Sequence, residues 1–428
     1  MGDHQARIGL RRHYWKESMI RVIICILCSA FLSNLALEAQ QGGSNYSIFG
    51  IGDIRQSMGA YYDGLAGTQY AVPSFHAVNI ANPAMWSESK LTRLQIGFRF
   101  TQTAIEQQDL SASQNFGKLD GIAATFQVDT AMGITISGGI YPFSVVQYSV
   151  LTPVQAGISG LTDLSGGALN YGKGGVSAAF IGSSWKPMQG ISVGFAAMRL
   201  FGNISRVIQT ELYTQPFISV NQRTDRFFGS GLKLGISANP IKGLTLGAGA
   251  SIYSDLEYDS DFRQSTLNTG GVAYDTIFLQ KGVSTLPMQL GFGMSYVSGR
   301  WMMAGDIELQ DLSGISYSQG KSLFRSGRRM SLGFSRLRSY QLGTDYIDKV
   351  QFNFGAGWNQ LYYSVNGIDI DEYYGSFGLQ LPIAGSAMID LALQGGLRGN
   401  TELVRELFLR CGFSVSAGEV WFKPFIRE

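Results

Sequence analysis

Val350-Gln351-Phe352-Asn353-Phe354-Gly355-Ala356-Gly357-Trp358 alternates apolar and polar or small residues without a break. Successive side chains of a strand point to opposite faces, so this stretch reads as a strand with one greasy face and one polar face. The same period recurs along the chain. Met288, Leu290, Phe292, Met294 and Tyr296 alternate with Gln289, Gly291, Gly293 and Ser295. Leu94, Ile96, Phe98 and Phe100 alternate with Arg93, Gln95, Gly97 and Arg99, and Ile122, Ala124, Phe126 and Val128 with Gly121, Ala123, Thr125 and Gln127. A soluble sandwich also alternates, so the pattern alone does not choose between sandwich and membrane barrel.

Strand number and loop length make the choice. The pattern predicts strands near 93–102, 117–128, 133–148, 175–185, 191–202, 227–238, 244–253, 287–297, 301–309, 328–336, 349–360, 371–381, 387–397 and 404–417. Short connections, such as Asn239 to Gly243 and Ser298 to Arg300, alternate with long ones at 149–174, 203–226, 254–286 and 310–327. Outer-membrane barrels have short periplasmic turns, long extracellular loops and an even strand number. The expected fold is therefore all-β: a fourteen-stranded antiparallel transmembrane β-barrel spanning 91–418. The connection 337–348 is too long for its place in this order. Trp185, Trp301, Tyr296 and Tyr373 fall near strand ends, where a barrel has its interfacial aromatic girdles; ordinary core packing is the other reading.

Composition agrees. The 428 residues are 45% hydrophobic and only 15% charged, against the ~25% charge of ordinary soluble domains, and include 55 glycines. Aromatic content of 12% excludes a disordered chain, and a net charge of +2 gives no footprint for nucleic acid. The apolar stretch Val22–Leu37, after Arg11, Arg12, Lys16 and Arg21, is short for a spanning helix and has the layout of a secretory signal. Residues 1–39 are read as that signal, with Met19 offering an internal start. Cys25-x-x-Cys28 lies inside it. The mature chain would keep one cysteine, Cys411, and one histidine, His76, too few for a zinc site or a Ser-His-Asp triad. No catalytic site, metal or cofactor is expected.

Residues 40–90 are less regular, broken by Gly50, Gly52, Gly59, Gly64 and Gly67. They contain Phe49-Gly50-Ile51-Gly52-Asp53 and Asn82-Pro83-Ala84. Near the other end stand Gly378-Leu379-Gln380-Leu381-Pro382-Ile383, Gly395-Gly396-Leu397-Arg398-Gly399 and Trp421-Phe422-Lys423. On these motifs the sequence resembles the FadL-like outer-membrane transporters of hydrophobic compounds, in the Bacteroidetes-type form related to PorV-like barrels. The resemblance implies that 40–90 form an N-terminal hatch carrying the motif Asn82, Pro83 and Ala84. It also implies passive uptake of fatty-acid-like molecules through a plugged barrel in the bacterial outer membrane, with lipid around the wall and a hydrophobic ligand as partner. Residues 419–428 would be a periplasmic tail; ending at Ile426-Arg427-Glu428, it departs from the usual terminal aromatic.

In the family the wall opens at the third strand. This chain has Gly138, Gly139 and Pro142 in that place, and proline donates no ladder hydrogen bond. Gly138, Gly139, Tyr141, Pro142 and Phe143 are thus the expected lining of a lateral opening; the alternative is that Pro142 marks the strand's rim. Charges expected on the lumen face are Arg93, Arg99, Asp306, Glu308, Asp390, Arg398, Glu406 and Arg410. Their simplest role is to hold the hatch by ion pairs, and the sharper one is to bind a carboxylate head group at Arg398 and Arg410. The rival to a channel is a FadL-like barrel serving type IX protein secretion, whose partner would be a secretion protein. A general porin would need no plug.

Overall fold

The computed structural model describes residues 42–419, leaving aside 108–109, 157–163, 214–216, 269–270, 316, 318–323, 342, 366 and 384. The signal read at 1–39, its two cysteines, and the tail beyond residue 419 with Trp421-Phe422-Lys423 lie outside the described residues. The wall strands are β1 (Thr92–Gln107), β2 (Leu110–Asp129), β3 (Ile134–Pro142 and Ser144–Ala156), β4 (Leu164–Met188), β5 (Ile191–Leu212), β6 (Phe217–Ile241) and β7 (Leu244–Tyr253 and Leu256–Asn268). Then come β8 (Gly271–Ser284 and Gln289–Ser298), β9 (Trp301–Asp311), β10 (Ser326–Arg336), β11 (Gln351–Val365), β12 (Ile368–Pro382), β13 (Met388–Gly399) and β14 (Arg405–Glu419). Each is antiparallel to its neighbours, and β14 closes on β1 from Glu419 opposite Thr92 to Arg405 opposite Glu106. The result is a closed barrel of fourteen strands, three of them interrupted. Closure pairs the wall strands on both sides, which a backbone in hydrocarbon requires, except where β2 and β3 part above Ile122.

The alternation places greasy side chains outside. Leu94, Ile96 and Phe98 are exposed while Arg93, Gln95 and Arg99 are buried. Trp185, Trp301, Tyr296 and Tyr373 are exposed on the outer surface, not packed in a core. At the lower rim, β6–β7 and β8–β9 turn in two residues. Gly243 at φ 85° and Gly299 at φ 60° supply the left-handed backbone such hairpins need. The long lower connection 337–348 is pinned on one carboxylate: Asp348 accepts from Arg300 Nη1 at 2.7 Å and Arg336 Nη2 at 2.5 Å.

The upper rim differs from the expectation of long loops at 149–174, 203–226, 254–286 and 310–327. Strand continues through most of the first three: β4 pairs with β5 from Met188 opposite Ile191 to Gly166 opposite Leu212, and β7 with β8 from Leu256 to Asn268. The greasy alternation stops where lipid stops, whereas the ladder hydrogen bonds do not. The fourth, 310–327, keeps an irregular stretch with the 3-10 turn Leu312–Gly314.

Residues 42–91 lie within the barrel lumen. They form the short turns Asn45–Ile48, Ala60–Asp63 and Pro83–Glu88 and a two-residue strand, Asp53–Ile54. Met58, Tyr62, Leu65, Ala66 and Val72 are fully buried there. Lacking regular structure, this segment satisfies its backbone with side chains of the wall. Gln69 and Tyr70 donate their N–H groups to Asp306 Oδ2 at 2.5 and 2.9 Å, and Val78 N–H donates to Gln95 Oε1 at 2.6 Å. Tyr70 sits against Gly247, Gly249, Gly291 and Gly293, where any side chain would strike it.

Candidate functional site: the charged lumen and the break in the third strand

Asn82, Pro83 and Ala84 form a capped turn on the inner face of β5 and β6. The Asn82 side chain accepts from Ala84 N–H at 3.1 Å and donates to Tyr70 O at 2.7 Å and Ile236 O at 3.1 Å. Gly194 and Gly235 leave room for the turn; a Cβ on Gly194 would lie 2.5 Å from the Pro83 carbonyl carbon. The motif is an anchor between lumenal segment and wall.

The lumen charges are largely spent on the same segment. Arg99 pairs with Asp63 at 2.6 Å and Asp120 at 3.0 Å. Glu308 accepts from Tyr70 Oη at 2.9 Å and from Arg329 at 3.2 Å. Glu406 accepts from Ser44 Oγ and Asn45 N–H, each at 2.7 Å. Arg398 reaches Asp53 at 2.9 Å, Glu372 at 2.5 Å and Ser44 Oγ at 2.8 Å. Arg410 also binds Glu372, at 2.9 and 3.0 Å. Glu372 thus already supplies to Arg398 and Arg410 the carboxylate a ligand would bring. Asp390 accepts from Gln380 at 2.8 Å, and Arg93 donates to Ser386 O and Ser416 Oγ at 3.2 and 3.3 Å. Four residues of this network, Asp63, Asp120, Arg329 and Glu372, did not stand out in the sequence, and Asp53 did so only as the end of the Phe49–Asp53 motif.

His76 is buried in the lumenal segment, where burial and then the Arg338 and Arg93 charges push its pKa down to about 2. It is held neutral.

The third strand breaks at Phe143, directly after Pro142, which still pairs with Ser177 of β4. Its ladder with β2 runs from Asp129 opposite Ile134 to Ile122 opposite Ile140 and ends there. Gly138 and Gly139 serve close approach, since a Cβ on Gly139 would lie 2.7 Å from Ala123 Cα. Phe143 leaves the ladder, its N–H donating to Val176 O and its carbonyl accepting from Arg55 N–H, both at 2.8 Å. Ile140 faces outward, while Tyr141 and Phe143 are buried, Phe143 packing on Tyr253 with ring centres 5.6 Å apart. Gly121, Gly174 and Gly175, with φ of 131°, 120° and 137°, extend this irregularity as a crease across β2 and β4.

Beyond the break β3 stays paired to β4, but among the described residues the upper half of β2, Leu110–Gly121, pairs with β1 alone. The seam is filled by the lumenal segment. Asp53 and Ile54 pair with Val145 and Ser144. Gly43 N–H donates to Gln147 O at 2.9 Å and Gly42 N–H to Asn115 O at 3.5 Å. Gln114 Nε2 reaches Ser149 O at 2.6 Å. Behind the seam lies a cavity of about 140 Å³, lined among others by Arg55, Ser57, Phe116, Gln147 and Arg410. A wider one of about 610 Å³ lies higher, against Tyr148, Arg206, Arg223, Phe262 and Phe278.

The fold has solved relatives. The chain is similar to the Pseudomonas putida toluene transporter TodX, with TM-score 0.55 and 14% identity over 86% of this chain and 99% of that one. The Ralstonia pickettii toluene transporter TbuX gives 0.57 and 13% over 85% and 98%. A Pseudomonas aeruginosa FadL homologue gives 0.58 and 11% over 85% and 98%. At these identities the likeness is one of fold. No curated protein matches the sequence. The family model described as BamG matches residues 19–425. Across nearly its whole length, then, the chain belongs to the BamG family.

Proposed function

We propose that the chain is an outer-membrane channel for passive uptake of hydrophobic small molecules, fatty-acid-like ones included. Residues 40–90 act as its hatch and 91–418 as its barrel. The substrate enters the upper cavity, passes the hatch and leaves sideways through the seam between β2 and β3 into the bilayer. The observation that carries this reading is that backbone pairing at the seam is taken over by residues 42–54, a detachable piece, while the wall itself contributes the Gln114 to Ser149 bond. An apolar molecule leaving there goes from cavity to lipid without crossing water, which is its favourable direction of transfer. The fold shared with two toluene transporters and a FadL homologue supports the same reading.

Pro142 is the first residue to test. Alanine there restores an N–H and relaxes the fixed φ that ends the ladder. Pro142→Ala is expected to cut uptake of radiolabelled laurate or toluene by cells several-fold while the barrel remains heat-modifiable on a denaturing gel. Unchanged uptake by a folded Pro142→Ala protein would refute the lateral exit.

A further inference from the structure

From the upper margin of the bilayer outward, the second piece of β3, β4, β5, β6, the second piece of β7 and the first piece of β8 continue as one sheet. Its two edges are treated differently. The foot of the β3 edge, Ser144–Val145, is covered by Asp53–Ile54. At the other edge β8 pairs with β7, but β9 meets only the lower piece of β8, Gln289–Ser298, and ends at Asp311. Among the described residues, Tyr274–Gly282 has no ladder partner on that side. Ile277, Phe278 and Leu279 on it are 61%, 59% and 78% exposed. Such an edge offers a row of unpaired N–H and C=O groups to any extended chain.

The edge is complementary to itself. In an antiparallel pair of identical strands centred on Phe278, Ile277 faces Leu279 of the second copy and Asp275 faces Lys281, each pair occurring twice. Lys281 lies 3.7 Å from Asp259 with its side chain 89% exposed. In the pair it would stand between two carboxylates, Asp259 of its own sheet and Asp275 of the other copy. Asp275, bound by Arg263 at 2.7 Å, would likewise stand between two cations. A shift of one residue would set Asp275 against Gln280 or Gly282 and lose both charge rows.

We propose that the β8 edge around Phe278 is a contact with a second copy of this chain, made antiparallel in this one register. The two-fold axis lies across the strand. Barrel strands tilt by roughly 35–45° from the membrane normal, so an axis along the normal would leave the two edges crossing and not paired. The copies therefore face each other from opposed membranes.

The test uses the full chain with Cys25, Cys28 and Cys411 replaced by serine, in two vesicle populations carrying different epitope tags. Phe278 is the self-opposed position, so after mixing and mild oxidation Phe278→Cys should give disulfide dimers bearing both tags. Ile208→Cys, on an exposed position of β5, should give few. Adding Lys281→Glu to Phe278→Cys should lower the yield about fivefold or more, the scale of two cross-strand charge pairs, while Lys281→Arg should preserve it. Mixed-tag dimers no more abundant with Phe278→Cys than with Ile208→Cys, or formed only within one population, would overturn the proposal. Equal yields with Lys281→Glu and Lys281→Arg would do the same for the register.

Discussion

Glu372→Gln should destabilise the folded barrel by about 3–5 kcal/mol, the usual result of removing one partner from a buried ion pair. The carboxylate is nearly enclosed, with 3% of its side chain exposed, and takes four hydrogen bonds from Arg398 and Arg410 at 2.5 to 3.0 Å. Glutamine keeps the shape and loses the charge, leaving both guanidinium groups in a space built around an anion. Arg398 retains Asp53, but Arg410 has no second ion pair among the described residues. Arg410→Met in the Glu372→Gln background should therefore recover part of the loss, because it removes the stranded cation. Arg405, whose exposed side chain is 3.9 Å from Glu106, is the control: Arg405→Gln should cost ~1 kcal/mol or less. The midpoint of urea unfolding in lipid vesicles, followed by the heat-modifiable folded band, measures all three. A Glu372→Gln midpoint equal to that of Arg405→Gln would show that the cluster does not hold the fold.

Gly247→Leu should unseat the lumenal segment around Tyr70 while the ladders of the wall stay intact. Any Cβ at Gly247 lands on the Tyr70 carbonyl oxygen and lies 2.6 Å from the Tyr70 carbonyl carbon. Those are backbone atoms, so no rotamer change relieves the clash. Strand β7 is fixed by ladders to β6 and β8, whereas Tyr70 belongs to an irregular piece, so the piece yields. Its bonds from Gln69 and Tyr70 to Asp306 and from Ser295 to Ala71 O then fail together. An unplugged barrel of this size is a water-filled pore, so single-channel conductance in a planar bilayer should rise on the order of tenfold. Protease should also cut within 42–91. A folded Gly247→Leu barrel that remains sealed and protected would place the plug elsewhere.

The sequence makes the wall legible at bilayer height and loses it above. Between Gln351 and Trp358 every side chain lies on the face its alternation predicts, because lipid outside and a packed lumen inside impose opposite polarities. Ser165–Gly175 is rich in glycine and in half-exposed small or polar side chains, so the ladder continues with no greasy period to announce it. The phase also slips at Asp120, an extra residue opposite the Gly97–Phe98 step, which turns a carboxylate from the greasy row into the lumen. That slip hid the partner of Arg99. Glu372 escaped notice because it stands at the upper end of β12, beside an expected loop. Asp53 and Ile54 gave no strand signal, since two residues between Gly52 and Arg55 carry no period. Their pairing depends on a break at Phe143, far along the chain, and such a contact is invisible to any local reading.

The most direct test of the channel reading is to lock the seam. Gly43 and Gln147 are adjacent across it, the N–H of one 2.9 Å from the carbonyl oxygen of the other. In a chain with Cys25, Cys28 and Cys411 replaced by serine, Gly43→Cys with Gln147→Cys allows a disulfide between lumenal segment and wall, and uptake of radiolabelled laurate is measured oxidised and reduced. The expected result is uptake abolished on oxidation and restored by reductant, with either single cysteine alone indifferent to both. Equal uptake in the two states, with the disulfide verified by mass spectrometry, would contradict passage through the seam.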